Sequence, residues 1–252
     1  MTKRRILRLT GPDTRDFLQG LITNDIRKLD AGPVYAALLT PQGKYLADFF
    51  LTADGDGVLL DVAEELGDMT AQRLAMYKLR ADVQIAEAGL HLHRGLGTAP
   101  DDGFSDPRNA ALGWRAYRET PQQDDRTDWA ALRVAHLVPE TGVELTPDTF
   151  ILEAGFDRLN GVDFRKGCFV GQEVTARMRH KTTLRKGLAQ VAVDGEAPVG
   201  SALTKDGKPV GTLLTQSDGK AIAHLRFDRA SRVMQAGDAT VTWQDAPEEA
   251  AE

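Results

Sequence analysis

The sequence predicts an α+β protein that ends in a small all-strand unit, and three observations carry that reading. In the first half, short apolar runs bounded by Gly, Pro and Asp alternate with segments of helical period. Beyond about Leu184 only short strand-like runs remain, separated by hairpin turns. The length of 252 residues and the 42% hydrophobic content suffice for one large domain or two to three small ones with a real core.

In chain order, residues 6–9 alternate like a strand and Thr10-Gly11-Pro12-Asp13 reads as a turn. Thr10 or Asp13 is placed to cap a helix carrying Phe17, Leu18, Leu21 and Ile22 on one face. Strands follow at Val34–Leu39, Tyr45–Leu51 and Val58–Val62, joined by turns at Pro41–Lys44 and Asp54–Gly57. Leu66–Leu79 is helical, with Met69, Leu74 and Tyr77 available for burial, and Asp82–Glu87 returns to an extended pattern. Gly95–Asp128, rich in glycine, proline and aspartate (Asp101, Asp102, Asp106, Asp124, Asp125), reads as a loop-rich boundary. Trp129–Leu137 is a helix that Pro139 ends. Strands at Leu188–Val193, Ser201–Thr204, Val210–Gln216, Ala221–Phe227 and Ala239–Trp243 predict a small barrel or sandwich, and residues 246–252 a frayed tail.

Composition narrows function. The net charge of −6 argues against charge-driven binding of nucleic acid, which needs a basic surface. One local basic cluster stands out: Arg177, Arg179, His180, Lys181, Arg185 and Lys186, either a solvated helix end or an anion site. No stretch approaches the roughly 18 apolar residues of a membrane span. Lys3, Arg4 and Arg5 resemble a signal-peptide start, but Arg8 follows and no apolar core or cleavage site appears. The single cysteine, Cys168, excludes an internal disulfide framework. A cytoplasmic protein without membrane association is therefore expected. His91 and His93 share one strand face, but no third ligand accompanies them, so no metal site is expected.

The chemistry concentrates at residues 166–177. Gly167 and Gly171 bracket a turn that tolerates positive φ or close approach of a ligand. Gln172 and Glu173 open a helix, with Val174 and Met178 on one face. A carboxylate and an amide there either pair with the donor–acceptor edge of a heterocycle or serve the helix N-terminus. Cys168, next to Arg165 and Lys166, is either a reactive thiolate favoured by positive charge or a small buried hydrophobe. One thiol supplies one of the four ligands an iron–sulfur cluster normally takes, so any cluster would be shared.

Lys166-Gly167-Cys168-Phe169-Val170-Gly171-Gln172-Glu173 resembles the signature of the YgfZ family, folate-binding relatives of the glycine-cleavage T-protein. Val174–His180 is similar to the mitochondrial iron–sulfur assembly factors of that family. Thr10–Asp13, Phe17–Gly20, Thr23–Asp25, Leu38–Lys44, Tyr77–Arg80 and Asp106–Arg108 also match, so the resemblance spans nearly the whole chain.

The resemblance implies a T-protein-like arrangement of three modules around a central tetrahydrofolate cavity. Residues 1–45 and 125–183 would form a discontinuous folate-binding module, 46–124 an inserted module and 184–245 the barrel. Arg133, Gln172 and Glu173 would line the cavity, with Trp129 near it. Lys166 and Arg177 would serve the thiolate or the folate glutamate tail. Cys168 would be the reactive thiol, a shared cluster ligand. The implied function is assembly or repair of 4Fe–4S proteins through assembly or client partners, and indirectly tRNA modification. Aminomethyl transfer is the alternative: Asp61 and Asp68 lie where the T-protein carries its aspartate, without its Asn-Ala surroundings.

Overall fold

The computed structural model describes residues 3–124, 126–181 and 183–246, without the side chain of Lys181. Asp125 and the tail from 247 onward lie outside the described residues. In chain order the first half contains β1 (Arg4–Thr10), α1 (Thr14–Gln19), β2 (Val34–Leu39), β3 (Tyr45–Asp54), β4 (Gly57–Ala63), α2 (Gly67–Lys78) and β5 (Gln84–Glu87). The five strands form one antiparallel sheet in the order β2-β3-β4-β1-β5.

β2 reads Val-Tyr-Ala-Ala-Leu-Leu without polar alternation because both its faces are buried. Ala36 and Leu38 join Leu7, Phe49, Leu60 and Leu74 on one side. Tyr35, Ala37 and Leu39 join Phe50, Phe156 and Phe169 on the other. The boundary expected between residues 45 and 46 falls at the start of β3, inside this sheet. Helix α1 stops at Gln19; Leu21 and Ile22 still turn back onto the Leu18 carbonyl, and the chain leaves the helical path at Thr23. Thr23 Oγ1 donates to the Gly161 carbonyl, and Asn24 Nδ2 donates to the carbonyls of Tyr35 and Asn160. Tertiary partners there replace helical ones.

Gly95–Asp128 is less irregular than expected. β6 (His91–Gly95), β7 (Phe104–Ser105) and β8 (Trp114–Arg118) form a second sheet in the order β6-β8-β7. Its central strand hides from a hydropathy reading because it packs Arg115 and Tyr117 inward onto a carboxylate. Helix α3 (Trp129–His136) is capped by Asp128, whose Oδ1 accepts from Ala131 N, and ends at Leu137 in the left-handed region. Helix α4 (Gln172–Lys181) follows a long stretch of turns.

The C-terminal barrel comprises β9 (Lys186–Asp194), β10 (Ala202–Lys205), β11 (Lys208–Ser217), β12 (Lys220–Arg226), β13 (Val233–Ala236) and β14 (Ala239–Thr242). It closes in the order β10-β11-β12-β9-β14-β13, around Val191, Leu203, Leu213, Ala223, Leu225 and Val241. The α+β class and the C-terminal barrel are thus as expected; β13, only four residues long, is the strand the sequence concealed.

Candidate functional site

Two constructions stand out. The first is a buried charge network against the second sheet. Asp61 on β4 is fully buried, its Oδ1 accepting from Arg4 Nε at 2.6 Å. Its Oδ2 accepts from Arg115 Nη2 at 2.5 Å and from Tyr117 Oη at 3.0 Å. Burial opposes the charge of Asp61, but Arg4 and Arg115 outweigh it and hold the carboxyl below its ordinary range. Asp106 takes Arg108 at 2.8 Å and Arg115 at 3.5 Å. Asp48 accepts from Tyr45 Oη at 2.7 Å, Thr141 Oγ1 at 2.8 Å and Tyr35 Oη at 3.0 Å. The guanidinium of Arg115 lies 3.8 Å from the centre of the Phe50 ring.

Arg133 belongs to this network. It meets Glu140 at 2.8 Å and Glu144 at 3.3 Å, and its Nη2 donates to Thr215 Oγ1 of the barrel at 3.3 Å. Arg4 and Arg115 share Asp61, Arg108 and Arg115 share Asp106, and Arg133 spans Glu140 and Glu144, with Arg94 and Asp48 lining the space beside them. The chambers between them are only about 40 and 20 Å³. Outside them opens a chamber of about 840 Å³ bordered by Lys3, Arg4, Glu64, Arg94, Gln122 and Trp129. The Arg94 guanidinium lies 3.7 Å from the Trp129 ring centre.

The second construction is the turn holding Cys168. Lys166 is buried, and its Nζ donates to the carbonyls of Gln19 and Ile22, both at 2.5 Å. Gln19 Nε2 returns a bond to the Lys166 carbonyl at 3.2 Å. Burial pushes the Lys166 amine down to about 8, against the pull of Asp25 and Asp163. Phe169 is buried among Tyr35, Leu39 and Phe156. Gly171, at φ +83°, lies so close to β2 that a Cβ there would meet the Thr40 carbonyl at 2.6 Å. Between these anchors Gly167 takes φ +97° and Cys168 is exposed as a free thiol. The buried-hydrophobe reading of Cys168 is thereby excluded.

The structure therefore divides the residues singled out from sequence. Arg133 sits in the charge network, whereas Lys166, Cys168, Gln172, Glu173 and Arg177 sit on the turn and on α4, and none of these five lines the chambers around Arg133. Glu173 and Arg177 pair with each other on the surface at 2.8 Å. Arg179 pairs with Asp157 at 3.2 Å, so the start of the basic cluster is a solvated helix face. The network residues Arg4, Asp48, Arg115 and Glu144 escaped the sequence reading. For Asp48 the signal was a charge inside a strand of otherwise core character, Tyr45-Leu46-Ala47-Asp48-Phe49-Phe50. Asp61 is sealed by its arginines, and Asp68 pairs on the surface with Arg5 at 2.6 Å, so neither is a free base. Among the described residues no cluster of three or more His, Cys, Asp or Glu is arranged to hold a metal ion, and no helix is long and apolar enough to cross a membrane.

Residues 185–248 match the family model described as the CAF17 C-terminal beta-barrel domain. The chain is 30% identical over 235 residues to the mitochondrial iron–sulfur cluster assembly factor IBA57 of Mus musculus, covering 77% of this chain and 66% of that protein. For IBA57 of Homo sapiens the identity is 28%, covering 95% and 83%. For the IBA57 homolog of Pyricularia oryzae it is 31%, covering 74% and 54%, so the chain spans about half the length of that relative. Among solved structures, the glycine cleavage system aminomethyltransferase T from Bartonella henselae superposes with a TM-score of 0.76 at 15% identity, covering 97% of this chain and 83% of that one. That similarity establishes the fold. The relatives correct one expectation: they are mitochondrial proteins, and the cytoplasmic assignment falls. A lone thiol marks a reducing compartment without distinguishing one such compartment from another.

Proposed function

From a chain related to the IBA57 iron–sulfur cluster assembly factors, with a CAF17-type barrel on the aminomethyltransferase T fold, we propose a factor of the YgfZ type that supports assembly or repair of 4Fe–4S proteins. The observation that carries this is the presentation of Cys168: an exposed thiol between two buried anchors, Lys166 and Phe169. Such a thiol is reachable by a partner without local unfolding. It supplies one ligand to a cluster, and the partner protein supplies the rest. The cluster is cargo in this reading, held at a shared surface. Any effect on tRNA modification is indirect, through 4Fe–4S enzymes that carry it out.

The test is the activity of a 4Fe–4S enzyme under oxidative stress in cells lacking their own IBA57-type gene. Restored activity with the intact chain and none with an equally abundant Cys168→Ala variant supports the reading. Equal restoration by both removes the thiol from it.

A reduced folate remains part of the proposal, with its place moved. The inner chambers are too small for a heterocycle. What supports binding is the outer chamber, whose size falls in the range of ligand pockets. There Trp129 offers an apolar face, Gln122 and Glu64 offer groups for a pterin edge, and Lys3 offers positive charge to a glutamate tail. A bound folate would supply one-carbon chemistry. Titration with tetrahydrofolate should show affinity weakened about tenfold by Trp129→Ala, the loss of one stacking face, and unchanged by Glu173→Ala. Sensitivity to Glu173→Ala instead would return the site to α4. Aminomethyl transfer ranks behind, because Asp61 is fully buried and Arg4 and Arg115 hold its carboxyl below the ordinary range, which makes it a weak and inaccessible base.

A further inference from the structure

Away from the charge network and the cysteine turn, a groove of about 410 Å³ lies between residues 143–154 and the outside of the barrel. Its barrel wall is one row of side chains across three strands: Leu188 on β9 pairs with His224 on β12, which pairs with Thr212 on β11. These point outward, because their neighbours Ala189, Ala223, Leu225 and Leu213 fill the barrel interior. Leu214 continues the row.

Three half-buried apolar side chains of the groove, Val143, Phe150 and Leu214, belong to none of the three hydrophobic cores. Around them the polar groups are unevenly committed. Lys44 lies over the Phe150 ring at 3.8 Å and donates to the Asp148 carbonyl. His224 Nε2 stands 3.8 Å from Glu153 Oε2. The Lys186 ammonium enters no ion pair or hydrogen bond among the described residues. The inner wall is closed by Glu144, whose Oε1 accepts from Thr215 N and Oγ1 at 3.1 and 2.6 Å while Oε2 faces Arg133. The groove is therefore separate from the central chambers.

We propose that this groove binds a small amphipathic anion, an aromatic or aliphatic carboxylate. Its apolar body would cover Phe150, Leu188 and Leu214, and its anionic group would meet Lys186. A cationic ligand would face two lysines; of the groove's acids, Glu144 is held by Thr215 and Arg133, Glu153 lies beside His224, and Asp148 is exposed to solvent. This site is independent of the iron–sulfur and folate readings.

The test uses anilinonaphthalene sulfonate as the probe, titrated by fluorescence against the full chain. One site per chain is expected. Lys186→Glu, at an exposed position, should weaken it by about tenfold or more, the loss of one charge-assisted contact. Leu214→Gln should weaken it as well, while Trp129→Ala in the outer chamber leaves it unchanged. Phenylbutyrate should displace the probe and phenylbutylamine should not. The proposal falls if no single site is found, if both groove variants bind as the parent does, if Trp129→Ala abolishes binding, or if the amine competes as well as the acid.

Discussion

Around Asp61 the fold buries charge on every side, while around Cys168 it buries the neighbours and leaves the reactive group in water. In the first region the ionised groups are tied to one another or to buried hydroxyls, and removing one strands its partners in a medium that cannot solvate them. In the second, rigidity comes from backbone contacts and from a lysine satisfied by carbonyls, so the thiol itself carries no structural duty. The difference separates what holds this protein together from what it offers to others.

The sharpest way to break that comparison is Asp61→Ala. Arg4 and Arg115 would lose their shared counter-ion, and unfolding in urea should show a loss of about 3–5 kcal/mol. A loss below about 1 kcal/mol would mean that the network is solvated and not structural. Next in size come the two glycines of the turn. Gly167→Ala meets open space and should cost about 1–2 kcal/mol for its positive φ alone. Gly171→Ala adds a collision with the Thr40 carbonyl and should cost distinctly more by thermal denaturation. Equal effects would show that the turn is not docked on β2.

Lys166 gives a pH signature. Burial lowers its folded-state pKa to about 8 from an ordinary 10.5, so the unfolded chain holds more protons between those values. Stability should therefore rise with pH from about 8 to 10.5 relative to a Lys166→Met variant, in which that slope is absent. A slope of opposite sign would mean that the buried amine is favoured in its charged form. The smallest effect belongs to Cys168→Ala, which should change stability by no more than about 0.5 kcal/mol, as surface substitutions do. A larger loss by urea titration would return the thiol to a packing role.

Much of the fold was legible in local chemistry. β2, β3 and β4, the helices α2, α3 and α4, and five of the six barrel strands follow from apolar period and turn residues, because those signals act within a few positions. The Lys166–Glu173 motif was equally visible, and its glycines take the positive φ their spacing invited. The site assignments divided where contacts become long-range. Arg133 and Glu173 stand forty residues apart in sequence, and nothing local says that one faces the charge network and the other solvent.

The α+β class, the strand-rich C-terminal unit and the turn between Gly167 and Gly171 could be read from residue type and near-neighbour spacing. It took the folded chain to close the last strands into a barrel, to expose Cys168, to seal Asp61 between Arg4 and Arg115, to bury Lys166 as a pin, and to crowd the central chambers with arginines. Those outcomes depend on which polar groups meet across 57, 54 and 144 residues of chain, and burial gives them their energy only once the fold has closed.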